Sequence, residues 1–174
     1  MTDNLTPAQR SHTMSRIRSR GNEATELTFV RLLRTGRIAG WRRGAQLPGK
    51  PDFVFRMPRI AIFVDGCFWH GCPRCFLPPK SNRVYWARKI AKNKARDRTV
   101  SVGLRRRGWT VVRVWQHALR TRPRQVLRRL VAALVKLGGP IPGDLRRQTR
   151  VDVNTSGLST SRRLATNVLI MAGS

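Results

Sequence analysis

Apolar positions recur along this chain with two periods, and the changes between them mark out its elements. In NEATELTFVRLLRTG, residues 22–36, Leu27, Val30 and Leu33 stand at helical spacing and Phe29 lies four before Leu33. Asn22 is placed to cap that helix and Gly36 to end it. GWRRGAQLPGKPDFVFR then turns at LPGKP and enters a strand at about Asp52. Met57-Pro58 marks a second turn. RIAIFVDG is a β-branched, apolar run and reads as a buried strand. After a cysteine-rich loop and the Pro-rich FLPPKSN, RVYWARKIAKNKARDRTVSVGLRRRG predicts a long helix closed by Gly108. Its apolar positions, Trp86, Ile90 and Leu104 among them, leave a broad basic face. TVVRVWQHAL reads as a third strand. PRQVLRRLVAALVKLG is a short helix with Pro123 in its first turn and the Gly138-Gly139 pair as its stop.

Helix, two strands, loop, helix, strand, helix is the order of an α/β layer domain, spanning residues 22–138. Residues 1–21 are polar and basic with little apolar periodicity, and read as an arm that orders on a partner. Residues 139–174 lose the pattern and are rich in Gly, Pro, Ser, Thr and Arg, as a flexible tail would be. NVLIMAGS, at the end, is apolar but short, and either docks on the domain or has no structural role. No internal repeat is present.

Charge changes the picture more than composition does. The 174 residues carry 36 basic and 8 acidic side chains, a formal net charge of +28, on an ordinary globular hydrophobic content of 40%. Arginine far outnumbers lysine, as a GC-rich genome would produce, but such a bias does not explain the scarcity of acids. A surface this basic repels itself unless a polyanion neutralises it, so nucleic acid is the expected partner. From Lys80 to Arg129 there are 17 basic residues and one acid, Asp97. A solvated helix face mixes signs, so this stretch reads as a surface that faces phosphate. No apolar run reaches the roughly 18 residues of a membrane span, and the N-terminus has no apolar signal region. A cytoplasmic protein is expected.

The loop DGCFWHGCPRC, residues 65–75, holds all three cysteines of the chain. An odd number of thiols so close together points to a metal, not to a disulfide framework. Cys67, Cys72 and Cys75 give three soft ligands, and a structural zinc takes four. His70 or a distant group must complete the set, and His117, at the end of the third strand, is the natural candidate. Three buried reduced thiols are the plain alternative. His70 itself has three open roles on spacing alone: ligand, general acid or base, or structural ring.

Asp52 opens one strand and Asp65 ends the next, so adjacent pairing would bring both carboxylates to one edge of the sheet. Paired carboxylates there suit Mg²⁺, which activates water and stabilises charge on a scissile phosphate. Glu26, on the first helix, could add a third. Asp at strand ends is also an ordinary turn residue. Trp86 is core or a stacking residue beside the loop, and its spacing favours core.

Taken together, PGKPDFVF, IFVDGCFWHGCPRC, PPKSNRVYWARKIAKNKARDR and GWTVVRVWQHAL resemble the very-short-patch-repair (Vsr) DNA mismatch endonuclease family, from about Thr6 to Leu137. The resemblance implies a restriction-endonuclease-like, PD-(D/E)xK-type three-layer core with a structural zinc knot. It implies an enzyme that nicks one DNA strand 5′ to the thymine of a T:G mismatch left by deamination of 5-methylcytosine; a monomer is expected, and other mismatch-repair proteins are candidate partners that the sequence does not decide. Asp52 would hold the catalytic Mg²⁺ with help from the backbone carbonyl of Val64, and Asp65 is a further candidate ligand. His70 would act as general base or proton relay, and Glu26 would support the site. Cys67, Cys72, Cys75 and His117 would bind zinc. Phe68, Trp69 and Trp86 would wedge into the duplex at the mismatch, where an apolar wedge costs least. Lys89, Lys92, Asn93 and Arg96 would contact DNA from the long helix, and the arm from Arg10 to Arg20 would clamp it. Two departures stand out. Some members of the family carry His where this chain has Asp65 and Cys where it has His117. The lysine of the PD-(D/E)xK pattern is also missing, since Cys67 stands two past Asp65. Another restriction-type nuclease on the same fold, and a zinc-containing DNA-binding module without catalysis, are the competing expectations.

Overall fold

The first helix does start at Asn22, whose side chain accepts a hydrogen bond from the Ala24 N–H at 2.9 Å. Its first turn, Glu23–Leu27, is wound as a π-helix, and α1 follows over Thr28–Thr35. The computed structural model describes residues 22–139 and the backbone of residues 169–170. The predicted N-terminal arm and most of the predicted tail lie outside the described residues.

One five-stranded sheet runs through the domain in the order β1-β2-β3-β4-β5. The strands are β1 (Trp41–Arg42), β2 (Phe53–Phe55), β3 (Ile60–Asp65), β4 (Thr110–Trp115) and β5 (Leu169–Ile170). β1, β2 and β3 pair antiparallel, while β4 runs parallel to β3 and β5 parallel to β4. Parallel pairing needs a long crossover, and α2 (Arg83–Arg106) supplies it between β3 and β4. Every residue of β3 is buried, which is why its sequence is a continuous apolar run with no alternation.

Alternate residues of the strands pack into two cores, one on each face of the sheet. Phe53, Phe55, Ile60, Ile62, Val112 and Val114 meet Phe29 and Leu33 of α1 and Leu130 and Leu134 of the last helix. Val54, Ala61, Phe63 and Val111 meet Leu104 of α2 on the other face. Helices thus cover both faces, as a layered α/β domain requires. Asp65 and Arg113 continue the second face beyond Phe63 and Val111, so both project to the α2 side.

One difference from the expected elements has a clear physical cause. TVVRVWQHAL is not one strand: β4 stops at Trp115, and Gln116–Thr121 form the short helix α3. Ala118 and Leu119 are buried in the first core, so this segment packs as a helix end and does not extend the ladder. Within NVLIMAGS, Leu169 and Ile170 pair with Arg113 and Val114, which is one of the two outcomes that its sequence leaves open. The last helix, α4 (Pro123–Lys136), has Pro in its first turn as expected.

Candidate active site and metal centre

At one end of the sheet, the start of β2 and the end of β3 bound an open cleft of about 730 Å³. Of the five acidic residues among those described, Glu26, Asp52, Asp65 and Asp97 line it, and Glu23 does not. Like charges converge only where something holds them, so each needs a cause.

Asp52 lies just before β2, at the open end of the β2–β3 hairpin. Its Oδ2 accepts the Val64 N–H at 2.7 Å. Burial raises its carboxyl to about 6, against the lowering effect of that hydrogen bond, and nearby Glu26 and Asp65 add to the rise. A half-buried carboxylate that resists ionisation in this way gains from a cation beside it. Glu26 is buried and is paired with Arg43, so it reaches the same cleft with its charge already partnered.

Asp65 is held differently. Arg113 donates through Nε to Oδ2 and through Nη2 to Oδ1, both at 2.6 Å. Burial pushes the Asp65 carboxyl up, and the guanidinium opposes that rise. The same pairing pushes Arg113 up in spite of its own burial. A two-point contact this short is that of an ionised pair.

His70 belongs to the cleft and not to the cysteine group. Its Nδ1 lies 2.5 Å from Asp97 Oδ2, 3.5 Å from Arg113 Nη2 and 3.7 Å from Asp65 Oδ1. Burial raises the Asp97 carboxyl, but the His70 hydrogen bond and charge, with Arg113, outweigh it and hold Asp97 below the usual carboxylate range. An imidazole anchored through Nδ1 to a carboxylate keeps Nε2 for proton transfer.

Asp97 gets there because α2 carries a mixed stripe. Trp86 and Ile90 are buried at its start, and Ser101 and Leu104 are buried near its end. Between them Asn93 and Asp97 lie half-buried on the same face, at helical spacing. Asn93 donates through Nδ2 to the Trp69 carbonyl at 2.8 Å, so it braces the loop that carries His70. Its neighbours Lys89, Lys92 and Arg96 are exposed.

The metal-ligating group is Cys67, Cys72, Cys75 and His117, whose ligand atoms all lie within 4.8 Å of one another. His117 Nδ1 is 3.3, 3.4 and 3.5 Å from the three sulfurs. A tetrahedral zinc with ordinary bond lengths would put nitrogen and sulfur about 3.6 Å apart. Burial pushes the Cys67 thiol up and the His117 imidazole down. A divalent cation is what restores the thiolate, and a neutral ring is what it needs. The fourth member comes from α3, because the helical turn after Trp115 swings His117 back to the loop.

Phe68 and Trp69 project from this knot into an aromatic cluster. Ring centroids are 5.2 Å apart for Phe68 and Trp69, 5.1 Å for Phe68 and Trp86, and 5.3 Å for Tyr85 and Trp86. Trp86 is 8% exposed and Tyr85 58%, while Phe68 and Trp69 are half-buried. Trp86 is therefore core in this state, as its spacing favours. Trp69 also lines the cleft.

Three participants were not picked out from the sequence. Asp97 had a signal, as the one acid in a basic stretch. Arg113 had one too, since a charge inside the apolar TVVRVW needs a buried partner. Tyr85 had none, because nothing in the local pattern separates it from a solvent-facing helix residue.

Residues 2–75 match the family model described as DNA mismatch endonuclease Vsr. The type II nicking enzyme V.NaeI of Lentzea aerocolonigenes is 47% identical over 76 residues, which is 44% of this chain and 46% of that protein. V.XorIIP of Xanthomonas oryzae pv. oryzae, also a type II nicking enzyme, is 42% identical over 121 residues, 67% of this chain and 85% of its own length. The DNA mismatch endonuclease Vsr of Escherichia coli is 42% identical over 125 residues, 70% of this chain and 78% of that one. With the carboxylate and histidine cleft, the Cys₃His group and this extent of likeness, the chain belongs to the Vsr family of DNA mismatch endonucleases.

Proposed function

We infer that this protein nicks one strand of duplex DNA 5′ to the thymine of a T:G mismatch, of the kind left when 5-methylcytosine deaminates, and that it does so as a monomer with Mg²⁺. The observation that carries this reading is the pairing of His70, on the loop that holds the Cys₃His group, with Asp97 of α2, both facing the same cleft as Asp52. The core is of the restriction-endonuclease type, with its acids at the open end of the β2–β3 hairpin.

In this reading Asp52 and the Val64 carbonyl hold the hydrolytic metal. When bound, that ion lowers the pKa of water and stabilises the charge on the phosphate. His70 takes the proton of the attacking water through Nε2, and Asp97 fixes the ring and stabilises its charged form. Zinc at the Cys₃His group is structural. Phe68 and Trp69 enter the duplex beside the mismatch, where stacking is cheapest to break. Exposed Lys89, Lys92 and Arg96 take the phosphates. That several relatives carry the name of nicking enzymes supports cleavage of one strand.

The test is incubation with Mg²⁺ and matched duplexes that differ by a single T:G pair. A nick confined to the thymine strand is expected. Cutting of the perfect duplex would move the reading to a conventional restriction activity. Binding without cutting, unchanged in Asp52→Ala, would leave a DNA-binding module.

A further inference from the structure

Asp52 and Asp65 look equivalent in the sequence but not in the fold. Asp52 has one hydrogen bond among the described residues, from the Val64 N–H. Asp65 is 3% exposed and has both oxygens engaged by one guanidinium. A hard cation needs carboxylate lone pairs and gains from net negative charge. Arg113 has taken up both at Asp65.

Arg113 is itself fixed on several sides. Its guanidinium lies 5.0 Å over the Phe63 ring, and Phe63 is its partner across β3–β4. Its Nη2 is shared between Asp65 and Asp97, at 2.6 and 3.2 Å. The Asp97 oxygen that it reaches is the one that holds His70. Three strand or helix elements therefore meet at one planar group.

We propose that Asp65 is not a ligand of the hydrolytic metal but the anchor of Arg113, and that Arg113 is a positioning residue for strand cleavage. It sets Asp97, which sets the His70 ring, and it leaves Asp52 as the carboxylate for the metal. Planarity matters: a guanidinium grips Asp65 side-on and still presents an N–H to Asp97, which an ammonium cannot do in one geometry.

The inference rests on the nicking reading, and the experiment keeps the two apart. Mn²⁺ binding is measured by electron paramagnetic resonance on the full chain, bound to a T:G duplex with a non-hydrolysable scissile linkage. Single-turnover nicking is measured on the ordinary duplex. Asp65→Asn should bind Mn²⁺ within about threefold of the wild type, while Asp52→Asn, which removes an anionic oxygen ligand, should lose about tenfold or more. Arg113→Gln should nick about 10- to 100-fold more slowly with unchanged DNA affinity, since it withdraws part of a general-base contribution. Arg113→Lys should recover some of that rate. In a His70→Ala background Arg113→Gln should cost nothing more. If Arg113→Gln does not fold, Arg113→Lys carries the test, with a reduced rate expected that disappears in the His70→Ala background. Loss of Mn²⁺ in Asp65→Asn equal to that in Asp52→Asn overturns the proposal. So do Arg113 variants that cut at the wild-type rate, or whose loss adds in full to that of His70→Ala. A wild type that leaves the T:G duplex intact instead sinks the nicking reading itself.

Discussion

At the scale of single residues, the cleft sorts acids by what surrounds them. Asp52 is the one that burial raises to about 6 with a single hydrogen bond in opposition. In the metal-free protein its folded value lies above the unfolded one. Its contribution to stability is therefore present below pH about 4 and lost as pH rises through about 6. Asp52→Asn should raise the melting temperature of the metal-free protein at pH 7.5 and leave it unchanged near pH 4. Scanning calorimetry at both values checks this, and equal shifts would show that burial is not the cause. If Asp52 holds the hydrolytic metal as proposed, the same proton competes with that ion. The Mg²⁺ concentration for half-maximal nicking should climb about tenfold per pH unit below pH about 6, because the ligand must be deprotonated. For the His70–Asp97 pair, His70→Ala is expected to lower the single-turnover rate by about 10²- to 10⁴-fold, the usual range for a general base. Metal content should not change, since His70 lies outside the Cys₃His group.

At the scale of elements, the knot and α2 behave as one piece. Gly71 has φ +58, and a Cβ there would meet Ile90 Cγ2 at 2.6 Å and Lys94 Cε at 2.5 Å. The loop can lie this close to the helix only because position 71 has no side chain. Gly71→Ala should cost about 1–3 kcal/mol from the left-handed backbone alone. It should also slow nicking by shifting His70 away from Asp97. Denaturant unfolding with a parallel activity assay reads both effects, and a stable Gly71→Ala enzyme of normal rate would contradict the coupling. The expected elements were read well where one face had a clear period. α1, β3, α2 and α4 all stand close to where the apolar pattern puts them. The split of TVVRVWQHAL into β4 and α3 was not readable, because short apolar runs fit strand and helix alike. β1 was missed for a related reason: two residues, Trp41 and Arg42, make no pattern, and they become a strand only by pairing with β2.

Across the whole molecule the net charge of +28 dominates. If several of the exposed lysines and arginines of α2 contact phosphate, binding should weaken steeply with salt. A loss of about 10³- to 10⁵-fold between 50 and 200 mM salt is expected for 6–10 phosphate contacts. Fluorescence anisotropy on a labelled duplex measures the slope, and a flat response would mean that the basic face does not touch the DNA. A metal at the Cys₃His group would act at this scale too, since the four ligands join a loop after β3 to a helix after β4. Cys72→Ser should release the metal and lower the melting temperature, with metal analysis as the direct readout.

The sequence by itself determined the elements with a strong period, the basic character and the cysteine group, because each depends on local spacing or on composition. The motif resemblance points to the family without reference to any tertiary contact. Tertiary structure alone decided that Asp65 is clamped by a guanidinium while Asp52 accepts only a backbone N–H. Asp52 and Asp65 have similar strand-end settings in the chain, and only the partner strand brings Arg113 onto one of them. It decided as well that His70 answers to Asp97, 27 residues away along the chain, and that His117 answers to the thiols. Electrostatics at a site acts through space, so the decisive neighbours of DGCFWHGCPRC come from α2, β4 and α3 and not from its own flanks.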